Sequence, residues 1–150
     1  MTVLTKFILP FILLYSLLSF SQEIQKDTIY IKFKRNNGSY PNYRCLKFSD
    51  KNGIIFNLCS KGSLFYNNSE KSDTLCIKYL NNYKITKTED IDKLKKSWYI
   101  KNKSAIIKKY GEIHPYFDEN GRFKTFLIEI INNKQFVIYP VYWRNTMVIE

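Results

Sequence analysis

The stretch RFKTFLIEIINNKQFVIYPVYW, residues 122–143, decides the fold. It holds two apolar runs, Phe126–Ile131 and Phe136–Trp143, on either side of the short polar turn Asn132-Asn133-Lys134. Apart from Glu129, both runs are apolar at odd and even positions alike, as in strands covered on both faces rather than half exposed. They are expected to be central strands at about 122–131 and 135–143, joined as a hairpin, with a further layer packed over one side. Pro140 pulls the other way, because a residue without an amide hydrogen cannot donate to a ladder.

Upstream, the periodicity changes from two to about 3.6. Ile91, Leu94, Trp98 and Ala105 fall on one helical stripe, widened by Ile106 and Tyr110. Thr86 or Thr88 can cap an acidic start, and Lys108, Lys109 and Gly111 make a good stop. One helix from about 89 to 110 follows, with Asn102 as the place where it could break. Earlier still come short strand-like runs. Asp27–Phe33 alternates Ile29, Ile31 and Phe33 against Tyr30 and Lys32, and a turn follows at Asn36–Ser39. Further strands are expected at 64–66, 74–79 and 113–117. Asp118-Glu119-Asn120-Gly121 repeats the pattern of Asp50-Lys51-Asn52-Gly53, so both are expected to be tight hairpins.

At the earlier of the two, a three-residue loop Lys51–Gly53 closed by Asp50 and Ile54 would put Gly53 in the left-handed conformation. Phe48 would then face Phe56, Leu46 would face Leu58, Lys47 would face Ile55, and Cys45 would face Cys59. That juxtaposition makes Cys45–Cys59 the candidate disulfide and leaves Cys76 as a buried, unpaired thiol. The expected fold is α+β: a mainly antiparallel sheet of short hairpins with one helix, about 89–110, on one face.

Residues 1–21 stand apart. Lys6 precedes an apolar run, Phe7–Phe20, and Ser19 and Ser21 are the small residues that a signal peptidase needs, so cleavage is expected after Ser21. The run is short for a membrane span, which weighs against an uncleaved anchor. No membrane span is expected after the cut, and the protein is expected to be secreted or periplasmic. The 129 residues that remain of 150 form one domain, 22–150, large enough to bury about two thirds of its unfolded surface.

Net charge is +11 for the whole chain, and +10 without Lys6, which favours anionic partners. The charge comes from 20 Lys and only 4 Arg, amid abundant Asn, Ile and Tyr, the bias of AT-rich coding sequence. Base and phosphate recognition in nucleic acids leans on the planar Arg fork, so nucleic acid is disfavoured as a partner.

Catalytic signals are thin. His114 is the only histidine, and on a strand it would share a face with Glu112 and Tyr116, with Asp118 and Glu119 following at the turn. That set could serve as an acid/base pair in a small hydrolase, or could simply be a solvated strand. A Cys3His zinc site lacks any Cys-x-x-Cys spacing, and the Asp118 turn lacks the alternating ligands of a calcium loop. No metal or cofactor is expected. Aromatics make up 17% of the chain and gather at Tyr139-Pro140-Val141-Tyr142-Trp143-Arg144. Tyr139, Tyr142, Trp143 and Arg144 are therefore the candidate binding residues, for an envelope polymer or a protein partner. The leading expectation is an exported, non-catalytic binding module. A hydrolase centred on His114, an inhibitor or immunity-type protein, and a purely structural role are the alternatives.

Overall fold

The computed structural model describes residues 23–37, 44–111 and 117–144. The strands are β1 (Asp27–Phe33), β2 (Asn36–Asn37), β3 (Arg44–Cys45), β4 (Lys47–Ser49), β5 (Gly53–Asn57), β6 (Ser63–Asn67), β7 (Asp73–Cys76), β8 (Ile85–Thr86), β9 (Phe123–Ile130) and β10 (Gln135–Arg144). Eight of them form one sheet in the order β4-β5-β6-β10-β9-β1-β8, with β7 also paired to β10. β2 and β3 form a separate two-stranded ribbon. A 20-residue helix, α1 (Ile91–Tyr110), and a one-turn helix, Glu119–Arg122, complete the α+β fold.

β9 and β10 are central, as their two-faced apolar pattern requires. Ten residues long, β10 pairs β9 along one edge and meets β7 and then β6 along the other. Pro140 stands at the junction, between residues 135–138 paired with β7 and 142–144 paired with β6, where neither ladder on that edge calls for its amide.

The sheet is mostly antiparallel, but β1 runs parallel to both β9 and β8. Hairpin turns force antiparallel neighbours only where strands are adjacent in sequence. β1 and β9 are joined through β2–β8 and α1, and a crossover that long lets β9 start at the same end as β1.

The sheet is strongly rolled. The rings of Phe33 on β1 and Phe56 on β5 are edge to face at 5.1 Å. In a flat sheet their four strand steps would hold them about 19 Å apart. Lys47 Nζ on β4 likewise reaches Glu129 Oε2 on β9, also four steps away, at 2.6 Å. Short connections lead from β1 into β2 and from β3 into β4, so the small ribbon ties together the two sides that the roll brings close.

The inner face carries the main core: Ile29, Ile31 and Phe33 from β1, Leu127 from β9, Val137, Tyr139, Val141 and Trp143 from β10, and Phe56 and Leu64. Helix α1 contributes Ile91, Trp98 and Ile106 to the same core. It is tied to the start of β1, where Trp98 Nε1 donates to the Gln25 carbonyl at 2.7 Å and Lys101 bridges Asp27 at 2.6 Å. Asn102 does not break the helix. It is buried, donates back to the Trp98 carbonyl and accepts the Gln25 amide, so its polar side chain is satisfied inside an unbroken helix. No threonine caps the start: a 3-10 turn, Thr88–Asp90, leads into α1 with no side-chain capping bond. Gly111 ends it as expected, at φ +76° with its amide on the Ile107 carbonyl.

Five other sequence expectations need correction. Asp118–Gly121 is not a hairpin but the start of the one-turn helix, with the Asp118 carboxylate accepting the Gly121 amide at 2.7 Å. The strand expected at 74–79 stops at Cys76, where the 3-10 segment Ile77–Asn82 begins. Cys76 itself is exposed. The Asn52 hairpin is slipped by one residue: the pairs are Lys47 with Phe56, Phe48 with Ile55 and Ser49 with Ile54. Asp50 closes on Gly53, and the Asp50 carboxylate accepts the amides of Asn52 and Gly53. Lys47 turns inward, where Glu129 and the rings of Phe56 and Tyr139 receive its ammonium.

Cys45 and Cys59 are nevertheless disulfide-bonded, with Cα atoms 4.6 Å apart. After Asn57 the chain leaves β5, and Cys59, at φ +57°, opens a 3-10 turn that brings its thiol back to Cys45. Gly53 is not left-handed. It is glycine because a Cβ there would sit 2.2 Å from the Tyr66 carbonyl oxygen and 2.6 Å from the Phe65 ring. Backbone cannot yield to that clash, so Gly53→Ala is expected to cost about 1–3 kcal/mol in chemical denaturation. An unchanged midpoint would show that β5 and β6 are not held this closely.

Candidate binding face

The outer face of the rolled sheet is covered over only part of its area. Ile128, Phe136 and Ile138 form a second core there with Tyr30, Leu75, Ile77, Leu80, Tyr83 and Ile85, roofed by the 3-10 segment that follows β7. Beyond it, over β4, β5, β6 and the last residues of β10, that face carries a different row. Phe48 pairs with Ile55, Ile55 with Phe65, and Phe65 with Tyr142, so four apolar side chains stand side by side on adjacent strands. At one residue per strand the row runs about 14 Å. Its ends are open to solvent: Phe48 is 54% exposed and Tyr142 52%.

The Tyr142 end of the row borders a cleft of about 300 Å³ between the starts of β1 and β9 and the end of β10. Lys26, Thr28, Lys124, Phe126 and Pro140 line it with Tyr142. Lys124 Nζ lies 5.4 Å from the centre of the Phe126 ring. The Glu70 carboxylate beside the Tyr142 hydroxyl holds its pKa above the usual phenol value, so the phenol is neutral at neutral pH.

The candidate binding residues are divided by the two-residue period of β10. Tyr142 and Arg144 point to the exposed side, whereas Tyr139 and Trp143, each 7% exposed, belong to the inner core. Trp143 Nε1 donates to Thr125 Oγ1 at 3.0 Å. Tyr139 donates to Glu129 at 3.1 Å, and burial together with the Glu129 charge holds its phenol well above the usual range. These four residues thus do not form one surface. Phe48, Ile55 and Phe65, which complete the exposed row, lie far from Tyr142 in sequence, and nothing in their local pattern marked them.

Of the hydrolase residues, His114 and Glu112 lie outside the described residues. Asp118 caps the one-turn helix, and Glu119 pairs with Lys95 at 2.5 Å. Burial lowers the Lys95 pKa, but the Glu119 and Asp92 carboxylates outweigh it and leave the ammonium strengthened. Among the described residues no group of three or more His, Cys, Asp or Glu could hold a metal ion. No helix among them is long and apolar enough to cross a membrane.

Comparison with protein-family models, with curated proteins and with solved structures returned no match to this chain.

Proposed function

We propose that this chain is an exported, non-catalytic module that holds an anionic envelope polymer along the open part of its outer sheet face. One observation carries the reading: the row Phe48–Ile55–Phe65–Tyr142 leads directly to a cleft lined by Lys26 and Lys124. Apolar rings side by side suit the faces of sugar rings, and the lysines supply opposite charge to an acidic chain. A net charge of +10 after signal cleavage draws such a chain in from a distance. Export rests on the composition of residues 1–21, and a disulfide suits an oxidising compartment.

Purified protein is expected to be retained at low salt on peptidoglycan that carries its anionic polymers, and to be released near 1 M salt, where the Debye length falls to about 3 Å. Phe48→Ser combined with Tyr142→Ser, both at exposed positions, should leave the fold intact and weaken retention about tenfold. Absence of retention at low salt, or retention that the double variant leaves unchanged, would overturn the reading.

A further inference from the structure

We infer that the cleft beside Tyr142 is a site for a compact phosphate group carried on a sugar or polyol. The inference rests on the polymer reading above and names the group that the polymer would present. Three features support it. Lys26 and Lys124 both line the cleft, and neither takes part in an ion pair among the described residues. No carboxylate is among its lining residues, although Glu70 stands beside the Tyr142 hydroxyl. The Phe126 ring attracts the Lys124 ammonium without neutralising it, so that charge stays available.

The donor set distinguishes phosphate from carboxylate. A planar carboxylate is best met by the two-pronged Arg fork, whereas compact ammonium charges suit the separated oxygens of a phosphate. Lys26, just before β1, Thr28 on β1 and Lys124 on β9 line the cleft, and this set, with no arginine, is of the second kind. Phe126, Pro140 and Tyr142 give the cleft an apolar wall for the carbon skeleton that bears the phosphate. Asn120 also borders it, but both ends of its amide are bound to the Trp143 backbone, so it shapes the cleft without acting as a ligand. The volume of about 300 Å³ is at the lower end of small-ligand sites, suited to one unit of a polymer rather than a segment.

The test is titration of the protein with glucose 1-phosphate, glucose and glucuronate, followed by backbone amide NMR. Glucose 1-phosphate is expected to shift the amides of Thr28, Lys124, Phe126 and Tyr142, and to bind at least tenfold more tightly than glucose or glucuronate. Lys26→Gln with Lys124→Gln should weaken it at least tenfold, while Lys96→Gln on the exposed side of α1 should not. Equal binding of glucuronate, shifts confined to other surfaces, or a double variant that binds normally would overturn the inference. Retention on peptidoglycan without glucose 1-phosphate binding would overturn the phosphate site alone. The converse would overturn the polymer reading alone. Sedimentation with phosphatidylglycerol vesicles, lost in the double lysine variant, would assign the phosphate to a lipid headgroup and overturn the polymer source.

Discussion

Trp98→Ala is expected to lower the free energy of unfolding by about 3–5 kcal/mol, the range for removing a buried large aromatic side chain. Trp98 is wholly buried and is the largest of the fully buried side chains. Its ring meets Phe117 at 5.2 Å, and the Arg122 guanidinium lies 6.0 Å from its centre. Its indole N–H is spent on the Gln25 carbonyl. Alanine would therefore leave a cavity and an unserved carbonyl where α1 meets the start of β1. A domain of this size is stable by only about 5–15 kcal/mol, so the variant should unfold at markedly lower urea concentration. Trp98→Phe separates the two contributions: it keeps most of the ring and loses the donor, and should cost less. A Trp98→Ala midpoint within 1 kcal/mol of the parent would mean that α1 is not part of the cooperative core.

The elements that the sequence made legible are those whose signals are local or periodic. The 3.6-residue stripe led to α1 within two residues of each end, and the two-faced apolar runs led to β9 and β10 as neighbours at the centre. The two Asp-x-Asn-Gly turns show where local chemistry stops. In each, the Asp carboxylate accepts the amide of the Gly three residues on. One closes a hairpin because Ile54 and Phe56 continue as a strand against β4. The other starts the one-turn helix Glu119–Arg122, which leads straight into β9. The same bond serves both, so the motif could not choose between them.

The misses share a cause. The local pattern pairs Lys47 with Ile55, whereas in the structure Lys47 pairs with Phe56 and the roll of the sheet brings Glu129 from four strands away to its ammonium. No pattern near Lys47 refers to Glu129. The same holds for the outer row. The expected register pairs Phe48 with Phe56, and the one-residue slip sets it instead on the outer face with Ile55 and Phe65. The aromatic cluster Tyr139–Arg144 is likewise divided between the two faces of β10, with Tyr139 and Trp143 buried and Tyr142 exposed.

Cys45→Ser with Cys59→Ser is expected to cost about 3 kcal/mol, because the bridge closes a loop of 14 residues in the unfolded chain. The effect should not be confined to stability. Cys45 belongs to β3 and leads directly into β4, while Cys59 follows β5, so the bridge locks the hairpin that presents Phe48 and Ile55. β4 is only three residues long and lies at the edge of the sheet, and a strand that short has few ladder bonds to hold it. The serine pair should therefore show faster amide exchange across β4 and weaker retention on anionic polymer, even under conditions where the rest of the sheet is folded. Alkylation gives an independent check. Iodoacetamide should label Cys76 alone in the native protein, since it is the exposed free thiol, and all three cysteines only after reduction. A serine pair as stable as the parent, with β4 equally protected, would mean that Lys47–Glu129 and the β4–β5 ladder hold this edge without the bridge. The exposed row would then owe its geometry to the ion pair, and Glu129→Gln would become the variant that loosens it.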